Sequence, residues 1–139
     1  MEDFKLPDSY VPSEDEEFMN ERQKEYFRMK LLSWKTELLA DTRDTVEEMK
    51  NSARNIPDVA DRASEETDRA IELRTRDRQR KLVAKIDAAL RRIDEDEFGY
   101  CQVTGDQISL KRLDARPIAT MTLEAQERHE RKERVHRDE

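Results

Sequence analysis

Glycine is missing from the first 98 residues of this chain, and only two occur among all 139. Proline is nearly as scarce: Pro57 alone falls between Pro12 and Pro117. These two residues most often interrupt helices, so their scarcity leaves a long stretch free to be helical, with one break. A single cysteine excludes an internal disulfide and suits a reducing cytoplasm. No apolar run is long enough to cross a membrane, and the residues after Met1 lack the apolar centre of a signal peptide. Aromatic residues make up 6% and hydrophobic residues 35%, too little for a compact sphere of this size. An acidic balance of 34 against 27 basic residues, net −7, gains little from counterion release on a phosphate backbone. Sequence-specific DNA binding by the chain alone is therefore not expected.

Charge is what the chain has in abundance. At 44% charged residues, the composition fits long helices with a thin apolar seam and solvated outer faces. Residues 1–17 carry two prolines, two serines and many acids without a regular period, and read as an irregular N-terminal arm. Its Phe4, Leu6, Tyr10 and Val11 are candidates for docking on a partner. A hairpin is expected over residues 18–97, with its tip near 55–63. Asn20 followed by Gln23 is a capping-box pattern that starts the first helix. Phe27, Leu31, Trp34 and Leu38 then repeat at 4-3-4 spacing, continuing more weakly through Thr42, Thr45, Met49 and Ile56. The return helix offers Ala60, Ala63, Thr67 and Ile71, then Leu82, Ile86, Leu90 and Ile93. Two such stripes joined near Pro57 predict an antiparallel coiled coil, with Gly99 as the left-handed cap that ends it.

Residues 98–139 change character. Both glycines and several β-branched residues lie in 98–121, and Thr104-Gly105-Asp106 reads as a turn between short strands. Phe98, Tyr100, Val103, Ile108, Leu110, Leu113, Ile118, Met121 and Leu123 are the expected core of a small globular region. A polar helix follows from Thr122, packing through Leu123. Cys101, Thr104, Thr122 and Ala125 stand at the intervals of a four-cysteine zinc ribbon, two, seventeen and two residues apart. Three of the four are poor or impossible ligands, and neither His129 nor His136 replaces one. No zinc is expected, and Cys101 reads as a half-buried small hydrophobe.

Two features have competing readings. Asp58 and Asp61 sit in an acidic stretch, residues 58–68, that holds five acids and one arginine. They suit either the N-cap and first turn of the return helix or a negative contact point at the hairpin tip. Arg74, Arg76, Arg78, Arg80, Lys81 and Lys85 fall in twelve residues, opposed only by Asp77. They suit either a solvated flank or a stem contact with a partner. No phosphate-cradling glycine loop, catalytic triad or metal set points to an enzyme.

Four segments together resemble the DksA/TraR family of RNA polymerase-binding transcription factors. They are Asp58-Val-Ala-Asp61-Arg-Ala63, Leu73-Arg-Thr-Arg-Asp-Arg78, Asp94-Glu-Asp-Glu-Phe-Gly-Tyr-Cys101 and Arg112-Leu-Asp-Ala-Arg-Pro117. With Glu-Glu-Phe-Met-Asn20 upstream, the likeness covers about residues 16–126. It implies a mostly α chain: a long antiparallel coiled-coil hairpin, a small zinc-ribbon-like region without zinc, and a C-terminal helix. It further implies a monomer that inserts its hairpin into the secondary channel of bacterial RNA polymerase and destabilises initiation complexes. Asp58, Asp61 and Ala63 would approach the active centre, while Arg74, Arg78 and Lys81 would contact polymerase along the stem. Guanosine tetraphosphate (ppGpp) would act at Lys85, Arg116 and Gln126, the last standing where the family has lysine. Output would fall at ribosomal RNA promoters and rise at some biosynthetic ones. A Gre-like transcript-cleavage factor uses the same channel but ends in a larger β-rich domain. A passive coiled-coil adaptor explains the heptads but not the motifs after residue 94.

Overall fold

A computed structural model describes residues 6–7, 9–52 and 59–137, apart from the side chains of Thr45, Met49, Ser52, Val59, Ala60, Asp61 and Arg137. Phe4 of the arm and Ile56, Pro57 and Asp58 of the expected turn lie outside the described residues. Four helices follow in order: α1 Glu21–Ser52, α2 Val59–Asp94, α3 Leu110–Ala115 and α4 Leu123–Arg137. At the helical rise, the 32 residues of α1 and 36 of α2 extend about 48 and 54 Å. The chain divides into two compact units. One joins Met1–Leu31 with Ala88–Glu139, and the other is Leu32–Asp87.

In the unit Leu32–Asp87 the two long helices run antiparallel. Lys35 Nζ meets Asp87 Oδ1 at 2.7 Å, and seven residues on, Thr42 Oγ1 donates to Gln79 Oε1 at 3.0 Å. A step of seven forward on α1 matches a step of eight back on α2, about two helical turns on each, as an antiparallel pair requires. Leu38 and Ile86 are buried along it, with Trp34 and Leu82 half-buried. Towards the turn, the described side chains of the return-helix stripe are not buried. Ile71 is 52% exposed, and Ala63 and Thr67 are exposed. On this register Ser52, the last described residue of α1, stands opposite the neighbourhood of residue 69. The first turns of α2 thus face no described partner helix. Thr45, Met49 and Ala60 cannot be placed in the seam, because their side chains lie outside the description.

The other unit is built around the opposite ends of α1 and α2. Asn20 Oδ1 accepts the Gln23 backbone N–H at 2.9 Å, while Gln23 Oε1 accepts the N–H of Met19 at 2.8 Å. This is the expected capping exchange, displaced by one residue at its return bond. Gln23 is fully buried, and its Nε2 donates to Ser13 O and Glu16 Oε2. Glu16 also accepts the Tyr10 hydroxyl at 2.7 Å. The Tyr10 ring meets Tyr26 edge-on at 6.1 Å. The arm has no helix or strand among its described residues, and its Tyr10 packs on α1 of its own chain.

Helix α2 stops at Asp94, earlier than the expected Phe98-Gly99. Asp96 is the left-handed residue, with φ 59°, and the N–H groups of Glu97 and Asp96 close onto the carbonyls of Arg92 and Ile93. This is a Schellman cap with aspartate where glycine is usual. Gly99 (φ 92°) has another purpose: a Cβ there would lie 3.0 Å from the Phe18 ring. The expected short strands are also absent among the described residues. Tyr100 and Gln107 form one antiparallel bridge, around a turn closed by Gly105 N–H to Cys101 O at 2.8 Å. The chain cannot extend this pairing, because Ser109 at once caps α3 by accepting the Arg112 N–H. Phe27, Leu31, Ala89, Ile93, Phe98, Ile108 and Leu113 form the centre of the unit. Tyr100, Val103 and Leu123, expected in the core, are 37%, 68% and 53% exposed. Ala125, one position round the face from Gln126, buries the start of α4 in place of Leu123.

Candidate partner-binding surface

The six cations between residues 74 and 85 separate into two rows on α2. Arg74, Arg78, Lys81 and Lys85 stand at 4-3-4 spacing, so they share one face of the helix. All four are exposed. Arg76 and Arg80 fall on the other flank, where they line a depression of about 460 Å³ with Leu39, Thr42, Leu73 and Val83. Asp77, between the rows, holds Arg80 at 2.9 Å and Lys81 at 3.2 Å. The Lys81 hydrogen bond is the main cause that lowers the Asp77 carboxyl pKa. Arg74, Arg78 and Lys85 have no ion-pair partner among the described residues. A row of unpaired cations is available for an acidic surface.

The acidic end of α2 is described less fully. Asp58 lies outside the described residues, and Asp61 is placed only as backbone, three residues into α2. Ala63, on the same opening turns, is exposed.

In the other unit, Arg116 closes α3, its backbone N–H donating to Arg112 O. Its side chain is exposed and borders a depression of about 560 Å³, together with Lys111, Arg112, Ser109 and Glu124. Gln126 is half-buried, and its amide donates to Glu130 Oε1 at 3.1 Å, one turn along α4. Gln126 is not among the residues bordering the depression, whereas Lys111 is. The adjacent cations Lys111-Arg112 ahead of Arg116 were a signal for this basic wall that the sequence reading passed over. Lys85 belongs to the unit Leu32–Asp87, and Arg116 and Gln126 belong to the other.

A second cluster also escaped the sequence reading. Asp114 Oδ1 accepts the Tyr26 hydroxyl at 2.5 Å and Lys30 Nζ at 2.7 Å, joining α3 to α1. Lys30 lies 5.8 Å from the Tyr26 ring centre. The Lys30 hydrogen bond, then that of Tyr26, holds the Asp114 carboxyl below its usual range. Burial, with Asp114 beside it, pushes Tyr26 up to about 12.

Of the other ribbon positions, Thr122 stands beside the Cys101 sulfur. Cys101 is 2% exposed and Ala125 3%. Thr122 Oγ1 lies 4.0 Å from Cys101 Sγ and accepts the Ala125 N–H at 3.3 Å. Burial pushes the thiol pKa up, but the Thr104 hydroxyl and the N–H groups of Thr122, Thr104 and Val103 outweigh it, leaving the thiol at about 6.

Residues 23–93 match the family described as the DnaK suppressor protein DksA, N-terminal domain, and residues 96–131 match the prokaryotic dksA/traR C4-type zinc finger. This chain belongs to the DksA family. It is 64% identical over 129 residues to the RNA polymerase-binding transcription factor DksA of Caulobacter vibrioides (strain NA1000 / CB15N), covering 93% of this chain and 91% of that one. Against the DksA of Escherichia coli (strain K12) the identity is 41% over 115 residues, 83% of this chain and 76% of the other. The solved structure of transcription factor DksA2 from Pseudomonas aeruginosa superposes with a TM-score of 0.79 at 43% identity, over 84% of this chain and 90% of that one. The DksA fold is thereby shown. The donor set of this DksA-family chain does not fit the zinc that the C4 description implies. One sulfur, two hydroxyls and a methyl cannot supply the four soft or imidazole donors of a structural site. Among the described residues no group of three or more His, Cys, Asp or Glu could hold a metal ion.

Proposed function

We propose that this chain binds bacterial RNA polymerase, enters its secondary channel with the acidic α1–α2 turn leading, and shortens the lifetime of initiation complexes. The reading is carried by one observation: 64% identity, across nine-tenths of its length, to a relative named for binding RNA polymerase. The local chemistry supports it. Arg74, Arg78 and Lys81 lie on one exposed face of α2, suited to an acidic rim. The carboxylates of Asp58 and Asp61 precede them, where a mobile element or a hydrated magnesium ion could be perturbed. Each can also serve the N-terminal end of α2, and the two roles are compatible.

ppGpp is the effector in this reading, held at the polymerase interface by Lys85 and Arg116. Gln126, bonded to Glu130, offers a neutral amide where a third cation would strengthen a polyphosphate site. The response to ppGpp is therefore expected to be weaker than three cations would give. Ribosomal RNA promoters would be repressed and some biosynthetic promoters activated, by a monomer acting in the cytoplasm without sequence-specific DNA contacts. No enzymatic step of its own is involved.

The test is transcription with purified components. The protein is added to bacterial RNA polymerase on a ribosomal promoter, with and without ppGpp, and separately to a backtracked elongation complex. A shortened open-complex lifetime with no RNA cleavage is expected. Cleavage of the backtracked transcript would instead assign a Gre-like role, and no effect on either would leave an adaptor.

A further inference from the structure

Helix α2 carries cations on both sides of its seam, and the two sides differ in what surrounds the charge. One side holds the row Arg74, Arg78, Lys81 and Lys85. On the other, Leu73, Arg76, Arg80 and Val83 recur at 3-4-3 spacing and share a face. At the helical pitch the two rows lie about 100° to either side of the seam residues Gln79, Leu82 and Ile86. Leu73 is 48% exposed, and Leu39 of α1 is 47% exposed. Both line the depression of about 460 Å³, together with Thr42, Val83, Arg76 and Arg80. Leu32, seven residues before Leu39 and 46% exposed, continues the apolar strip along α1. The Thr42 hydroxyl is engaged with Leu38 O and Gln79. Asp77 holds Arg80, whereas Arg76 has no ion-pair partner among the described residues.

We infer that this flank of the hairpin is a second docking face for RNA polymerase, where Leu39 and Leu73 receive the apolar side of an acidic amphipathic helix and Arg76 meets one of its carboxylates. The inference rests on the polymerase reading above: a hairpin inside a channel is enclosed, so both of its flanks meet the wall. Single exposed leucines are ordinary on a protein surface. Here three leucines in one strip stand beside an unpaired arginine, which offers apolar contact area and a charge to fix its register. From Leu73 to Val83 the face runs about 15 Å at the helical rise, enough to seat nearly three turns of helix. A small ligand fits poorly, since such sites need convergent polar groups and the Thr42 hydroxyl is spent. A second copy fits poorly too, because two chains of net charge −7 repel one another. The two flanks then divide the work. A bare row of cations acts at long range on the rate of encounter, while apolar contact forms only once surfaces meet and acts on dissociation.

The experiment uses the full chain and follows its association with, and dissociation from, purified bacterial RNA polymerase by surface-based kinetics. Leu39→Gln combined with Leu73→Gln keeps helix propensity and removes the apolar surface. Dissociation should accelerate roughly tenfold, with the association rate, its salt dependence and the melting temperature near those of the parent. Leu39→Met combined with Leu73→Met keeps the face apolar and should dissociate as the parent does. Arg76→Glu should also speed dissociation, and on an exposed side chain it carries the test alone if the glutamine pair melts early. Parental dissociation in the folded glutamine pair, or in Arg76→Glu, overturns the inference and leaves the polymerase reading standing. A parent that does not bind polymerase removes that reading, and the inference with it. Sedimentation of the chain alone checks the other occupant: a dimer that the glutamine pair breaks would assign the face to a second copy and overturn the inference.

Discussion

Asp114 gathers two donors on one oxygen, the Tyr26 hydroxyl and the Lys30 ammonium, and so fastens the short helix α3 to α1. Its carboxyl pKa is lowered in the folded state, first by Lys30 and then by Tyr26. A group depressed on folding stabilises above its unfolded value, here 3.8, and that contribution fades as pH falls through the folded value. Tyr26 works in the opposite sense: raised from 10.0 to about 12, it stabilises below pH 10 and loses that contribution as pH rises towards 12. Tyr26→Phe should therefore flatten the alkaline limb of a stability–pH curve. At neutral pH it should cost about 1 kcal/mol, the usual net worth of one such hydrogen bond, measured by urea denaturation. A second residue-scale expectation concerns Asp61. Asp61→Asn keeps size and helix-start chemistry but removes the charge. It should abolish the effect on open-complex lifetime while leaving polymerase affinity nearly unchanged. A variant that simply fails to bind would make Asp61 an anchor instead.

At the scale of elements, the contrast between the two ends of α2 is a matter of what each turn has to pack against. Ile86 is fully buried, whereas Ile71 is 52% exposed. Ile86→Ala should cost about 2–5 kcal/mol, as deletion of a buried aliphatic side chain does, and Ile71→Ala well under half of that. Equal losses would mean that the seam runs further towards the turn than the structure describes. This also marks where the sequence was legible. The 4-3-4 apolar repeat in Phe27, Leu31, Trp34 and Leu38 announced the long helices, because a periodic stripe is written in one stretch of chain. Ile71 carried the same apolar signal without the burial, since burial depends on a partner helix that spacing cannot place. Helix α3 went unseen for a related reason. Ser109 and the Leu110/Leu113 pair are a short start signal, and nearby β-branched residues suggested strands. Asp96 in place of Gly99 as the cap was hidden because aspartate tolerates the left-handed region only locally and occasionally. The chemistry around Cys101 was read as an absence of ligands. That Thr122 Oγ1 stands 4.0 Å from the remaining sulfur is a three-dimensional fact that no spacing contains.

For the molecule as a whole, a net charge of −7 conceals a separation of charge along α2. The acidic residues from Asp61 to Asp68 and the basic stretch 74–85 have midpoints about 22 Å apart at the helical rise, beyond the Debye length of about 8 Å at physiological salt. A partner therefore meets two poles and not an average, and repulsion from the acids does little to mask the row Arg74, Arg78, Lys81 and Lys85. Cations of this kind act mainly on the rate of encounter, and their influence fades with salt. The combined variant Arg74→Ala, Arg78→Ala, Lys85→Ala should slow association with polymerase roughly tenfold at low ionic strength, measured by stopped-flow or surface-based kinetics. The difference should shrink towards nothing at high salt, with dissociation little changed. Arg131→Ala with Arg134→Ala, on the exposed outer part of α4, removes two charges from elsewhere and should leave the association rate near that of the parent. If the two variants slow binding equally, net charge and not the α2 row governs the encounter.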